Sequence, residues 1–339
     1  MSPEKAKSPK LKNRIFLGAL VIFIFVICFL LSLSLGPAHI PLKQVAKFLF
    51  QGRVAGEPNS TIFWQIRMPR VLLAILVGAS LALAGGILQG LFLNPLTDPY
   101  VTGVSSGAAL GATLAFFFHL PTIPWLSLFA LIGGLLTLVF VYSLAKKGNI
   151  MNIYQLLLGG VTLSYFFFAM VAVLMIKSGK DLHAVIYWLL GSFSGRGWNE
   201  VKMALIVLPF FVLPLFFTDE LNILLQGEER ALELGVDVER VKKILFFIAA
   251  FLTAVAVSVS GIIGFVGLVV PHICRLFLGP DHKKVLFFSI FLGASVMCIS
   301  DLLARTAFAP SEMPVGIVTI FFGAPFFIYL LRKRGGFAA

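Results

Sequence analysis

Apolar runs of about twenty residues, each closed by a short polar or glycine-proline break, recur from Ile15 to Leu331. A run of that length and composition crosses the hydrocarbon layer of a bilayer as a helix. The pattern predicts about ten crossings: Ile15 to Leu35, Val71 to Leu93, Val101 to Phe118, Trp125 to Ala145, Ile153 to Ile176, Val201 to Thr218, Ile244 to Ile262, Ile263 to Leu278, Val285 to Ala304 and Val315 to Leu331. Only a glycine-rich corner parts the seventh from the eighth. The first has a lysine-rich start but no small-residue cleavage site, so it reads as a retained helix rather than a secretory signal.

The break after the second run is unusual. Asn94-Pro95 ends the run, Thr97-Asp98-Pro99 turns the chain, and Gly103, Gly107 and Gly111 open the return at a spacing of four, on one helix face. Gly86 and Gly90 repeat the spacing on the preceding run. Without Cβ atoms, helix backbones approach closely in lipid, and ordinary packing accounts for most of these glycines. The short polar turn is more than an anchor needs, and it suits a path lined by movable helices. Pro209, Pro214, Pro271 and Pro325 fall inside runs and predict bends.

Composition agrees with the pattern. Of 339 residues, 59% are hydrophobic and 12% charged, which excludes a water-soluble globule. The 27 Lys and Arg exceed the 15 Asp and Glu, but they sit at run ends, so the excess reports topology rather than nucleic-acid binding. With an even number of crossings, the positive-inside rule places both termini in the cytoplasm. Residues 1–14 are expected to form a cytoplasmic tail on a single transmembrane domain, 1–339. On the outer side, His39 to Gln65 reads as an amphipathic interfacial piece, and Asp181 to Trp198 carries headgroup-level aromatics. Cys28, Cys274 and Cys298 lie in apolar runs without metal spacing and read as packing residues.

One island of charge stands out. Asp219 to Lys243 holds Asp219, Glu220, Glu228, Glu229, Glu233, Asp237 and Glu239, together with Arg230, Arg240, Lys242 and Lys243. It reads as a cytoplasmic surface meant to be touched, against the plainer reading of a solvated connector. Glu229 to Gly235 has the form of a short helix ended by a glycine cap, with Leu232 and Val236 able to seat in a partner's groove. No G-x-x-x-x-G-K-[ST] phosphate loop occurs anywhere in the chain, so ATP hydrolysis, if used, belongs to another subunit. No nucleophile, paired carboxylates or metal-ligand set predicts an enzyme.

The spacing Glu229, Ala231, Gly235 resembles the EAA loop of ABC importer permeases, with Arg230 in place of the usual small residue. Across the chain, RMPR before the second run, NPLTDP after it, GVSSGA, EERALELGV, GFVGLVVPHICR, DLLAR and EMPVGIVTIFFGAPFFIYLL stand in the order of the FecCD family. These are permeases of type II ABC importers for ferric siderophores, haem and cobalamin, and the resemblance runs from about Leu33 to Leu331. It implies an all-α polytopic fold with inverted-repeat character and a homodimer or paired permease around a path. It also implies two cytoplasmic ATP-binding subunits and an extracytoplasmic binding protein, with no cofactor and no nucleic acid.

The resemblance further assigns roles by position. Glu228, Glu229, Ala231, Leu232, Glu233, Gly235 and Val236 would couple to the ATPase. Arg67, Arg70 and Arg305 would pair with glutamates of the binding protein, since a guanidinium grips a carboxylate bidentately; the alternatives are snorkelling and a local Arg305–Asp301 pair. Asn149, Asn152 and Tyr154 would belong to the cytoplasmic gate loop. Gln89, Asn94, Ser105 and Ser106 are the polar candidates for the path, which the second run and its neighbours would line. Asp98 and His272 read as cap and structural residues at cytoplasmic run ends. A ferric siderophore is the expected cargo, with haem or cobalamin as alternatives within the family. An ion-coupled secondary transporter is the alternative outside it, and would need intramembrane ion sites that the sequence does not offer.

Overall fold

Lipid offers no partner for backbone N–H and C=O groups, so each apolar run must close its hydrogen bonds internally. In the computed structural model they do so as helices. The structure describes residues 11–54, 56–120, 122–148, 150–177 and 182–333. The α-helices are α1 (Leu11–Ser34), α2 (Leu42–Gln51), α3 (Pro58–Ile62), α4 (Met68–Leu91), α5 (Val104–Phe117) and α6 (Ile123–Ala145). They continue as α7 (Ile153–Lys177), α8 (Leu182–Leu189), α9 (Trp198–Ala204), α10 (Leu208–Val212), α11 (Thr218–Leu224), α12 (Glu228–Glu233), α13 (Val238–Ser260), α14 (Val266–Leu278), α15 (His282–Thr306) and α16 (Val315–Lys333). A two-residue hairpin, β1 (Lys146–Lys147) with β2 (Ile150–Met151), joins α6 to α7.

Among the described residues seven helices are long and apolar enough to cross a membrane, and three shorter apolar helices, α5, α14 and the Val315–Tyr329 part of α16, complete the ten runs. The boundaries differ from the sequence pattern in four places, each for a local reason. The second crossing starts at Pro58, because a π-turn at Phe63–Arg67 joins α3 to α4 in one helical stretch of 34 residues; residues 58–65 therefore leave the interfacial loop, whose amphipathic part is α2, with Val45 and Phe48 buried. The third is shortened by a 3-10 turn at Pro99–Thr102, after which Gly103, at φ +77, starts α5. The sixth alternates α and 3-10 turns around Pro209 and Pro214, which remove backbone donors. The seventh ends at Ser260 and the eighth begins at Val266, across a corner in which Gly261 takes φ +74.

The charged island is also more ordered than a loop. Its ends are helical: Thr218–Leu224 is α11, and residues 238–243 are the first turns of α13, whose N-cap Asp237 accepts the Arg240 N–H. Likewise, residues 11–14 of the expected tail already belong to α1.

The centre of the bundle is α4. In its apolar stretch 89% of residues are buried, against 17% for α7 and 22% for α1. It packs most extensively on α15 and α13. Close approach sets this packing: a Cβ on Gly85 would stand 1.9 Å from the Gly267 carbonyl oxygen of α14, so the two backbones touch where neither residue can carry a side chain. Gly107 and Gly111 meet α6 in the same way. Gly103 is not on their helix and faces Gly160 of α7.

Candidate functional site

Three arginines gather where α1 and α15 end beside the start of α4. Arg67, in the π-turn, donates to the Leu33 and Ser34 carbonyls at 2.8 and 2.6 Å. These are among the last carbonyls of α1, which no turn of the same helix satisfies, and a cation there also meets the negative end of the helix dipole. Arg305 donates to the Ser32 carbonyl and stands 3.6 Å from Asp301. Arg70 grips Asp301 through Nε and Nη2 at 2.9 and 2.8 Å, and Glu312 through Nη1 at 2.9 Å. Tyr187 of α8 donates to the Glu312 carbonyl. Exposures of 3%, 7% and 3% for Arg67, Arg70 and Arg305 place all three inside the fold, where each is held by the partners just named. The local Arg305–Asp301 pair is present, and Arg67 and Arg70, three apart, turn to different partners.

The polar turn after α4 goes deeper than the sequence suggests. Pro99 packs on Gly267 beside Leu81, ten residues and so roughly 15 Å back along α4 from its end. Asp98 accepts the Tyr100 N–H at 2.9 Å, and the Tyr100 hydroxyl both donates to the Ile263 carbonyl and accepts its N–H, at 2.6 and 2.8 Å. Asp98 is the expected cap, but it stands on a re-entrant turn rather than at a run end. Irregular backbone at such depth survives where protein buries it or where it borders a cavity. A cavity of about 570 Å³ opens here, lined by Asp98, Ser164, Tyr165, Phe168, Phe265 and Ile320 among others.

The expected path residues divide. Gln89 is buried, and its amide donates to the Thr97, Gly267 and Leu268 carbonyls, all at 3.2 Å; it fastens the re-entrant turn to α4 and α14. Ser105 and Ser106 are buried, Ser106 bonding Gly103 and Ser164. Asn94 is exposed and caps the turn by accepting the Leu96 N–H. The second run forms α4 at the core of the bundle, with Gln89 turned to protein partners inside it. Among the helices with a broad unburied face is α7, where Tyr165 is 76% exposed. His272 is buried in α14, its ring edge-on to Phe327.

At the opposite end lies the charged island. Ala231 anchors α12, while Glu229, Leu232, Glu233, Leu234 and Gly235 are exposed and Val236 is half-buried. Glu228 pairs with Lys242. Asn222 of α11 accepts the His282 N–H and donates to Asp281, which caps α15. Burial opposes ionisation of Asp281, but Lys284, Asn222 and the Lys283 N–H together hold it below the usual carboxylate range. Nearby, Asn152 accepts the Gln155 N–H and Tyr154 is largely exposed. Asn149 lies outside the described residues.

Comparison with known proteins decides what this arrangement is. A model of the FecCD transport family matches residues 24–333. The chain belongs to the FecCD transport family. It is 40% identical to the ABC transporter permease protein YvrB of Bacillus subtilis strain 168, over 96% of this chain and 97% of that one. It is 43% identical to the cobalamin import system permease protein BtuC of Halobacterium salinarum, over 82% and 75%. A solved inward-facing structure described as a metal-chelate type ABC transporter superposes with a TM-score of 0.84 at 32% identity, covering 94% of this chain and 99% of that one. This FecCD chain is therefore an all-α, multi-pass ABC importer permease.

The sequence did not single out Lys242, Glu239 or Tyr100 as site residues. An acidic and a basic residue three apart at Glu239 and Lys242 was a legible signal; the burial that gives it weight was not.

Proposed function

We propose that this FecCD permease passes a metal chelate, a ferric siderophore first among them, from an extracytoplasmic binding protein to the cytoplasm, with ATP hydrolysed on separate subunits docked at α12. The observation that carries the reading is the wide unburied face of α7 beside the cavity at Asp98. A second permease copy against that face would enclose a path. Its walls are mostly aliphatic and aromatic side chains with one carboxylate, which suits a bulky cargo already wrapped in ligands. Among the described residues no group of His, Cys, Asp or Glu is placed to strip and hold a bare ion. At the charged-loop end, Leu232 on α12 and Leu234 at its C-cap are exposed apolar side chains among acidic residues, available to a partner's groove.

The test is ATP-driven uptake into proteoliposomes holding the chain with its ATPase and binding protein, offered ferric siderophore, haemin or cobalamin. Accumulation of the siderophore, lost without ATP, is the expected result. Accumulation of cobalamin instead would move the cargo to that of the Halobacterium relative; uptake driven by an ion gradient without ATP would overturn the reading.

A further inference from the structure

A chain of contacts at the charged-loop end ties the segment expected to couple to the ATPase to the hairpin that leads into α7. Lys242 lies in the second turn of α13 with its side chain 4% exposed, and its ammonium stands 2.6 Å from Glu228 Oε2 and 3.5 Å from Glu239 Oε1. The second oxygen of Glu239 accepts the Met151 backbone N–H at 2.7 Å. Three elements meet at this buried cation: α12 through Glu228, α13 through Lys242 and Glu239, and the β1–β2 hairpin through Met151.

Neither outer member has another such tie. Among the described residues, Glu228–Lys242 is the only ion pair or side-chain hydrogen bond from α12 to a different element, because the Arg230–Glu233 pair is internal to it. Gly227 at φ +104 and Gly235 at φ +82 flank α12, and a Cβ on either would meet nothing within 4 Å. The short helix thus hangs between two glycine joints with open space around them. Among the described residues, Glu239–Met151 is likewise the only side-chain hydrogen bond that holds the hairpin to the rest of the chain.

The Lys242 side chain is 4% exposed while those of Glu228 and Glu239 are 46% and 33% exposed, so the ammonium would be left as an uncompensated buried charge only if both carboxylates left it, and it holds the two together. We propose that Lys242 is a positioning residue that ties α12 to the 146–151 hairpin. When a docked partner shifts α12, the Glu228–Lys242–Glu239–Met151 chain carries the shift to the hairpin and so to the start of α7. The proposal rests on the transport reading for what docks on α12 and what α7 borders; the contacts themselves do not.

Lys242→Met keeps most of the side-chain volume and removes the charge. In proteoliposomes of the full transporter, the variant is expected to bind its ATPase and hydrolyse ATP, while cargo delivered per ATP falls several-fold. Lys242→Arg, which still reaches both carboxylates, is expected to restore most of it. Wild-type delivery per ATP in Lys242→Met overturns the proposal. If that variant does not fold, Glu239→Gln replaces it with the same two outcomes. A second measurement uses the permease alone, with spin labels on Ile150→Cys and Leu232→Cys, both exposed positions, and the buried Cys28, Cys274 and Cys298 replaced by alanine. The distance distribution is expected to broaden in Lys242→Met, and an unchanged distribution overturns the tie. Failure of the parent chain to bind an ATPase would instead sink the transport reading, leaving the label result to judge the contacts.

Discussion

Arg70 and Asp301, 231 residues apart, share two hydrogen bonds at 2.8 and 2.9 Å with both side chains nearly closed to solvent. They lock the start of α4 to the far end of α15, the most extensive helix contact in the fold. The pair decides what an arginine at this position does. A cation with two carboxylates on its fork has little left to offer a visiting protein, and removing it would leave buried Asp301 with only the longer, 3.6 Å contact to Arg305.

Arg70→Ala should therefore act on stability, by about 3–5 kcal/mol, as expected when one partner of a buried pair is removed. Arg70→Lys, which cannot reach Asp301 and Glu312 with one planar fork, should lie between. Thermal unfolding in detergent checks this. A variant as stable as the parent but weak toward the binding protein would instead restore the docking role.

Gly85→Ala should fail where Gly264→Ala does not. The first places a Cβ against the Gly267 backbone at 1.9 Å, whereas the second meets only an Ile320 side-chain atom at 3.8 Å. Backbone cannot step aside as a side-chain tip can, so the first should cost at least the roughly 1–3 kcal/mol of an overpacked core. Folded yield and unfolding temperature give the comparison.

Leu232→Asp should leave the protomer stable, within about 0.5 kcal/mol as for surface changes generally, yet abolish co-purification with the ATPase. Leu232 is 61% exposed beside buried Ala231, so the substitution changes what α12 presents and not how it is seated. Retained ATPase binding would remove α12 from the docking surface.

Tyr165→Ala tests the cavity. Tyr165 is 76% exposed on α7 and lines the space beside Asp98, so its loss should leave folding intact and change chelate uptake several-fold with ATPase and binding-protein association unaltered. Uptake equal to the parent would place the path elsewhere.

The crossings, their approximate number and the charged island were legible in the chain because each depends on residues near one another in sequence. An apolar run needs only its own length to span, and glycines at a spacing of four announce close packing wherever their partner lies. The family was legible for a related reason, since its motifs stand in order along the whole chain. Which helix lies at the centre was not. The run holding Gln89 reads like its neighbours in hydropathy, and only its contacts with α13, α14 and α15 show that it is core while α7 is rim. Arg67, Arg70 and Arg305 look like outward charges until Ser32, Leu33, Ser34, Asp301 and Glu312 are brought to them across separations of 33 to 273 residues. The same holds for Lys242, unremarkable beside Lys243 in sequence but buried against Glu228 and Glu239. Hydrophobic length is a local property, so the sequence alone determined the membrane-spanning architecture. The pairing and burial of charge depend on what distant segments bring together, and the tertiary structure alone decided them.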